Sequence, residues 1–236
     1  ASIDPNIATI LERNNGEILI GTSGHSMFLL ETRGDSIKAR QISRFISSNL
    51  ITYAYEDRKG NLWIATGDNG IFRFDKNNQS KHYSGEKDIA KNTVSSMCED
   101  KQGNLYMSSL KKGLFIYDDK KDVFIPFTDT PNPDLPIKIL YPGDQNEIFI
   151  GTDGSGMKVY DTQEQKIKEA NFNITTFNLK KAKVHSILKD KIGNIWLGFF
   201  QKGVMIIPAT TNEFKYMGYK SSVHNVIGSN CVMSVY

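Results

Sequence analysis

Polar and apolar residues alternate along the chain in short runs. Leu62, Ile64 and Thr66 alternate with Trp63 and Ala65, and Ile71, Arg73 and Asp75 alternate with Phe72 and Phe74. A period of two marks strands whose two faces meet different surroundings. The runs are β-branched and aromatic, and clusters of Gly, Asn and Asp separate them as turns do. No segment carries a helical stripe of the length a helical-array unit needs, so an all-β fold is predicted.

Three phrases recur in a fixed order. Ile51 to Asp57 leads into Gly60-Asn61-Leu62-Trp63-Ile64-Ala65-Thr66, then into Gly70-Ile71-Phe72-Arg73-Phe74-Asp75. Val94 to Asp100, Gly103 to Ser108 and Gly113 to Asp118 repeat the series, as do Val184 to Asp190, Gly193 to Gly198 and Gly203 to Ile207. Looser copies run through Ile7 to Arg13, Gly16 to Thr22 and Met27 to Glu31, and through Ile137 to Tyr141, Asn146 to Thr152 and Gly156 to Asp161. The turn residues Gly16, Gly60, Gly103, Asn146 and Gly193 are spaced by 44, 43, 43 and 47 positions. Periods in the forties belong to propeller blades or to helical arrays, and the strand period selects blades. The expected fold is a β-propeller of four-stranded antiparallel blades: five full blades and the first strand of a sixth, within a seven-bladed propeller. Approximate blades are 7–48, 49–91, 92–134, 135–181 and 182–228, with a partial sixth at 230–236. That last stretch repeats the first-strand phrase, and the next turn Gly would fall past Tyr236, so truncation or a larger parent is expected.

Within a blade, Asp57-Arg58-Lys59-Gly60-Asn61 and its copies read as tight turns with Gly at positive φ. The fourth strand is the faintest: Lys81 to Tyr83, Val123 to Phe127, Ile167 to Phe172 and Phe214 to Tyr219. One such sheet cannot bury both faces alone, and stacking blade on blade solves this. Trp63, Tyr106, Phe149 and Trp196 fill one column of the repeat, with Leu19 in the first copy. Their mid-strand position reads as packing between blades rather than as a stacking platform for a ligand.

Composition adds little and excludes some classes. A net charge of +3 over 236 residues gives no concentrated basic stripe, so no nucleic-acid partner is expected. No apolar run approaches membrane-spanning length, and any targeting segment is expected outside this stretch. Two cysteines, Cys98 and Cys231, fall within predicted strands and read as small buried residues.

Gly-Asn-Leu-Trp-Ile-Ala-Thr followed by Gly-Ile-Phe-Arg-Phe-Asp resembles the two-component-regulator propeller repeat, as does Gly193-Asn194-Ile195-Trp196-Leu197-Gly198 followed by Gly203-Val204. The resemblance recurs five times over nearly the whole chain, with Ile18-Leu19-Ile20 and Asn146-Glu147 as departures. It implies the periplasmic sensor of a hybrid two-component histidine kinase, anchored in the inner membrane and acting as a homodimer. The implied ligand is an oligosaccharide released by glycan breakdown, and the implied output is control of polysaccharide-utilisation genes. The remaining blades and the kinase domains of the parent are the implied partners.

No catalytic constellation stands out. Gly154-Ser155-Gly156 reads as a turn, and His25, His82, His185 and His224 have no ligand spacing, so neither cofactor nor metal is expected. Asp75-Lys76-Asn77-Asn78 is a hairpin turn rather than a calcium loop. Alternating strand direction puts the loop before the first strand and the loop between strands two and three on one face. That face carries Asp68, Asn69, Lys111, Lys112, Asp153, Lys183, His185 and Lys202, the candidate ligand-binding set. Its lysines suit an anionic saccharide, or are ordinary solvated loop residues. Asn49, Asn92 and Asn230 share one repeat position and read as turn caps. The expectation is a non-enzymatic sensor. The alternatives are a propeller lyase using His185, the one histidine on an inner strand, and a protein-binding scaffold.

Overall fold

The computed structural model describes residues 6–33, 36–42, 46, 48, 50–84, 93–128, 135–144, 146–170, 177–209 and 215–217. It contains five four-stranded antiparallel sheets, each in simple sequence order. The first has β1 (Ile7–Glu12), β2 (Ile18–Thr22), β3 (Met27–Arg33) and β4 (Ser36–Gln41). The second has β5 (Ile51–Glu56), β6 (Leu62–Thr66), β7 (Ile71–Phe74) and β8 (Ser80–Tyr83). The third has β9 (Val94–Glu99), β10 (Leu105–Ser109), β11 (Gly113–Asp118) and β12 (Val123–Pro126). The fourth has β13 (Ile137–Pro142), β14 (Glu147–Thr152), β15 (Met157–Asp161) and β16 (Lys166–Glu169). The fifth has β17 (Val184–Lys189), β18 (Ile195–Phe199), β19 (Gly203–Ile207) and β20 (Lys215–Met217). The fold is that of β-propeller blades. The expected partial strand at 230–236, and Asn49, Asn92 and Asn230, lie outside the described residues.

The turns explain the recurring phrase. Gly16, Gly60, Gly103 and Gly193 all have φ between +80° and +94°, the left-handed region that favours glycine. In the second blade the Asp57 carboxylate closes the turn, accepting from the Lys59 and Asn61 backbone N–H groups at 3.0 and 2.8 Å. Its other oxygen accepts from Asn61 Nδ2 and from the Trp63 indole N–H, both at 2.8 Å. Asp190 repeats this with Ile192, Asn194 and Trp196. The phrase Asp-x-x-Gly-Asn-x-Trp is therefore one hydrogen-bonded unit, in which the aromatic both packs and caps. Trp63, Tyr106 and Phe149 are buried, and Trp196 is half-buried.

The chain divides into two compact units. The first holds blades one and two and most of blade three; the second holds blades four and five with Asp100–Gln102 and Leu110–Leu114. In the first unit, Leu19 and Met27 of blade one pack with Ile51 and Ala54 of blade two. Trp63, Ala65 and Ile71 of blade two pack in turn with Val94 and Met97 of blade three. In the second unit, Phe149 and Met157 pack with Val184 and Ile187. Strands β5, β9 and β17 thus each insert their first and fourth residues into the blade before them.

A second recurring device pins the hairpin between strands two and three. Thr22, Thr66 and Thr152 end their strands buried, and each hydroxyl donates to a carbonyl four residues on and accepts an N–H three residues on. In blade four this hairpin ends at Gly156, whose φ is +74°. A Cβ there would lie 2.3 Å from the Leu179 carbonyl oxygen, at the start of a 3-10 turn over Leu179–Lys181. Gly156→Ala is expected to cost about 3 kcal/mol, the sum of left-handed strain and overpacking against backbone. Gly154→Ala, with φ +110° and open space around it, should show the strain alone. Urea unfolding of the two variants separates the contributions, and equal losses would refute the clash.

Candidate functional site

Every first strand carries one extra residue. Pairing in blade one runs from Ile7 with Thr22 directly to Thr9 with Gly21, so Ala8 has no partner opposite. The same break falls at Thr52, Ser95, Lys138 and His185. A bulge frees a side chain from the in-and-out alternation of its strand and re-aims it, which is why bulges gather near sites. In the second unit the bulged residues are the chemically capable ones, Lys138 and His185.

Around them three further side chains converge. Asp153 follows Thr152 at the end of β14, and its N–H donates to the Pro136 carbonyl at 2.8 Å. It pairs as an isolated antiparallel bridge with Lys183, which enters β17. Lys183 Nζ lies 3.0 Å from Asp153 Oδ1, and His185 Nε2 lies 3.5 Å from the same oxygen. Phe200 stands one residue past β18, held by its N–H to the Lys183 carbonyl at 3.0 Å. Its ring centroid is 5.1 Å from that of His185, and Lys183 Nζ lies 5.6 Å from the Phe200 centroid.

The electrostatics follow from the positions. Burial pushes the His185 pKa below its ordinary value; Asp153 pulls it back, and Lys138 and Lys183 push it down further. The neutral imidazole is thereby favoured. In the tautomer with its proton on Nε2, which faces the carboxylate 3.5 Å away, Nδ1 is left as an acceptor. Burial alone would raise Asp153, but Lys183 and His185 outweigh it and hold the carboxyl below the usual range. One carboxylate, two ammonium groups, a neutral imidazole and an aromatic face offer both signs of hydrogen-bonding partner, with an excess of positive charge.

Of the candidate ligand-binding set, the structure brings together Asp153, Lys183 and His185. Lys111 and Lys112 sit exposed on the β10–β11 turn, and Lys202 sits exposed on the β18–β19 turn. Asp68 and Asn69 belong to the first unit and are engaged by other residues of that unit. Asp68 accepts from the Ser48 hydroxyl, Asn69 N–H donates to Thr66 Oγ1 at 2.9 Å, and the Asn69 carbonyl accepts from His82 Nε2 at 2.6 Å. His82 also stacks on Phe72 at 4.2 Å. Phe200 and Lys138 were not singled out from the sequence. An aromatic at Phe200, where other blades place Ser23, Gly67, Leu110 and Asp153, was the available signal. Among the described residues no group of three or more His, Cys, Asp or Glu side chains could hold a metal ion.

Comparison with known proteins gives a consistent picture. The two component regulator propeller family model matches residues 46–68 and 88–111. No curated protein sequence matches the chain. Among solved structures, the extracellular domain of a protein assigned as a hybrid two component system in B. thetaiotaomicron aligns with TM-score 0.67 and 19% identity, over 90% of this chain and 30% of that one. A second such domain from the same organism aligns with TM-score 0.67 and 15% identity, over 98% and 35%. Virginiamycin B lyase from Staphylococcus aureus aligns with TM-score 0.70 and 14% identity, over 95% and 73%. At these identities the likeness shows the fold. The chain spans about a third of the length of the two extracellular domains.

Proposed function

We infer, from a chain that carries two component regulator propeller repeats at residues 46–68 and 88–111, an extracytoplasmic ligand-sensing module of a two-component signalling system. On this reading the ligand is an oligosaccharide from glycan breakdown, and the response controls polysaccharide-utilisation genes. The module belongs to a periplasmic, inner-membrane-anchored parent that dimerises and passes the signal to kinase domains. The observation that carries the ligand reading is the convergence of Lys138, Asp153, Lys183, His185 and Phe200. A pyranose offers an apolar C–H face and a rim of hydroxyls. Phe200 supplies a ring for the face, Asp153 and His185 Nδ1 accept from hydroxyls, and the lysines favour a sugar bearing an acidic group.

Calorimetric titration with neutral and acidic oligosaccharides tests this. One acidic class should saturate the protein, and Phe200→Ala should weaken it by roughly 10- to 100-fold, the worth of one stacked aromatic at about 1.4–2.7 kcal/mol. Binding that survives Phe200→Ala but fails in Lys111→Ala/Lys112→Ala would move the site to the β10–β11 turn. Absence of binding by every glycan to the folded whole protein would favour a protein-binding scaffold.

The Asp153–His185 pair supports a second reading, a propeller lyase. A neutral imidazole oriented by a carboxylate is the form a general base takes. Product formed from an oligosaccharide and lost in His185→Ala would favour it over sensing.

A further inference from the structure

The aromatic column of the repeat is interrupted in blade one. Between blades two and three, the Trp63 ring is enclosed by Tyr83, Tyr117 and Phe124, with the Arg73 guanidinium beside it. The strand registers give the matching positions between blades one and two. Leu19 stands for Trp63, and their cross-strand partners are Leu29 and Arg73. Ile42, whose N–H donates to the Met27 carbonyl, stands for Tyr83, which pairs with Ile71. Phe74 stands for Tyr117. Ser80, opposite Phe74, stands for Phe124, which the Phe127 N–H to the Leu114 carbonyl sets opposite Tyr117. Four rings and a guanidinium thus give way to one ring, three aliphatic side chains and a hydroxyl.

A cavity of about 570 Å³ occupies this interface, within the size range of small-molecule clefts. Leu19, Leu29, Ile42, Leu62, Ile64 and Phe74 form its apolar wall. Its charged lining comes from Arg13 and Glu17 on the β1–β2 turn, Arg40 of β4, and Asp75 and Lys76 on the β7–β8 turn. Arg13 is held by Glu17 and Glu56, and Arg40 by Glu31. Asp75 closes its own turn, accepting the Asn77 and Gln79 N–H groups at 2.8 Å. Lys76 is exposed and forms no ion pair among the described residues. The charge left to a ligand is therefore positive.

We propose that this cavity binds a small planar aromatic molecule bearing a carboxylate. Its ring takes the place that Trp63 fills one interface further on, and its carboxylate meets Lys76. An apolar void forfeits dispersion contacts on its walls, and a ring restores them. A neutral sugar suits the wall badly, since its hydroxyls would lie against aliphatic side chains without partners. A carboxylate facing a lysine gains a charge-assisted hydrogen bond. All the lining residues belong to the first compact unit, and the inference does not depend on the oligosaccharide reading.

Calorimetric titration of the whole natural polypeptide with indole-3-acetate tests it. Saturation with a dissociation constant of roughly 1 mM or tighter is expected for a ligand of this size. Indole, which lacks the carboxylate, should bind roughly 10-fold more weakly. Lys76→Ala should remove that preference. Leu19→Trp places the repeat's own ring in the space and should abolish binding. In the unmodified polypeptide, indole-3-acetate should shift the methyl resonances of Leu19, Leu29 and Ile64, a measurement that decides the matter if Leu19→Trp does not fold. No saturation up to about 10 mM, or binding unchanged in Leu19→Trp, overturns the proposal. Indole bound as tightly as indole-3-acetate overturns the carboxylate assignment. Shifts that leave these methyls untouched overturn the site.

Discussion

Trp63→Ala is expected to lower the unfolding free energy by about 4 kcal/mol, within the 3–5 kcal/mol range for truncating a fully buried aromatic. The indole is 1% exposed and occupies the middle of the apolar layer between blades two and three. Its ring meets Tyr117 and Phe124 edge-on at 5.1 and 5.5 Å and Tyr83 at 5.7 Å, with the Arg73 guanidinium 5.5 Å from its centroid. Truncation removes these contacts together and strips Asp57 of a donor. Trp63→Phe keeps most of the packing and should cost about 2 kcal/mol, the worth of a hydrogen bond to a charged acceptor. Urea titration with an unchanged slope reads both values. A loss under about 1 kcal/mol for the alanine variant would refute the account.

The second large effect is placed at Asp122. Its carboxylate accepts from the Tyr83 hydroxyl at 2.6 Å, the Arg73 guanidinium at 2.9 Å, and the Tyr117 hydroxyl and Lys81 ammonium. Asp122 thereby joins the outer strands of blade two to blade three. Asp122→Ala should cost about 3 kcal/mol, because it leaves the Tyr83 and Tyr117 hydroxyls without their carboxylate acceptor and removes the charge that the Arg73 guanidinium and the Lys81 ammonium face. The contribution depends on pH. Burial alone would raise the Asp122 pKa, but Lys81, Tyr117, Tyr83 and Arg73 outweigh it and hold the carboxyl far below the usual range. The unfolded chain takes up its proton first, near pH 4. The stabilisation is therefore complete above about pH 5 and is lost as pH falls below about 4 towards the depressed folded value. Stability curves of wild type and Asp122→Asn should run parallel above pH 5 and converge in acid; curves that stay parallel to pH 2 would contradict this. On the alkaline side, burial and the hydrogen bond to Asp122 push the Tyr117 hydroxyl up to about 12, so it stays a donor throughout the working range.

Strands one to three of each repeat could be read because one face of each is buried and their turns need particular residues. Gly60-Asn61 with Asp57 before it has few conformations open to it, and Leu62 to Thr66 has one way to alternate. The first blade's fourth strand escaped because Ser36-Ile37-Lys38-Ala39-Arg40-Gln41 lies largely in solvent, where no burial imposes a pattern. Trp63 was legible as packing but not as a cap, since its partner is a carboxylate six positions back across a turn. At the candidate site, Asp153, Lys183 and His185 could be placed on one face by strand direction alone. Their meeting could not, because it depends on a bulge. Val184-His185-Ser186 reads like any strand, and the extra residue is visible only against Phe199 and Gly198 on the partner.

That extra residue has a consequence for how such a protein can change. Ala8, Thr52, Ser95, Lys138 and His185 span no charge, a hydroxyl, an ammonium and an imidazole at one address, while the neighbours Ile7, Ile51, Val94, Ile137 and Val184 stay aliphatic. Because the extra position lies outside the regular ladder register, its chemistry differs from blade to blade while the aliphatic residues beside it keep the strand in place. The scaffold thus offers one variable address per blade on an otherwise constant strand.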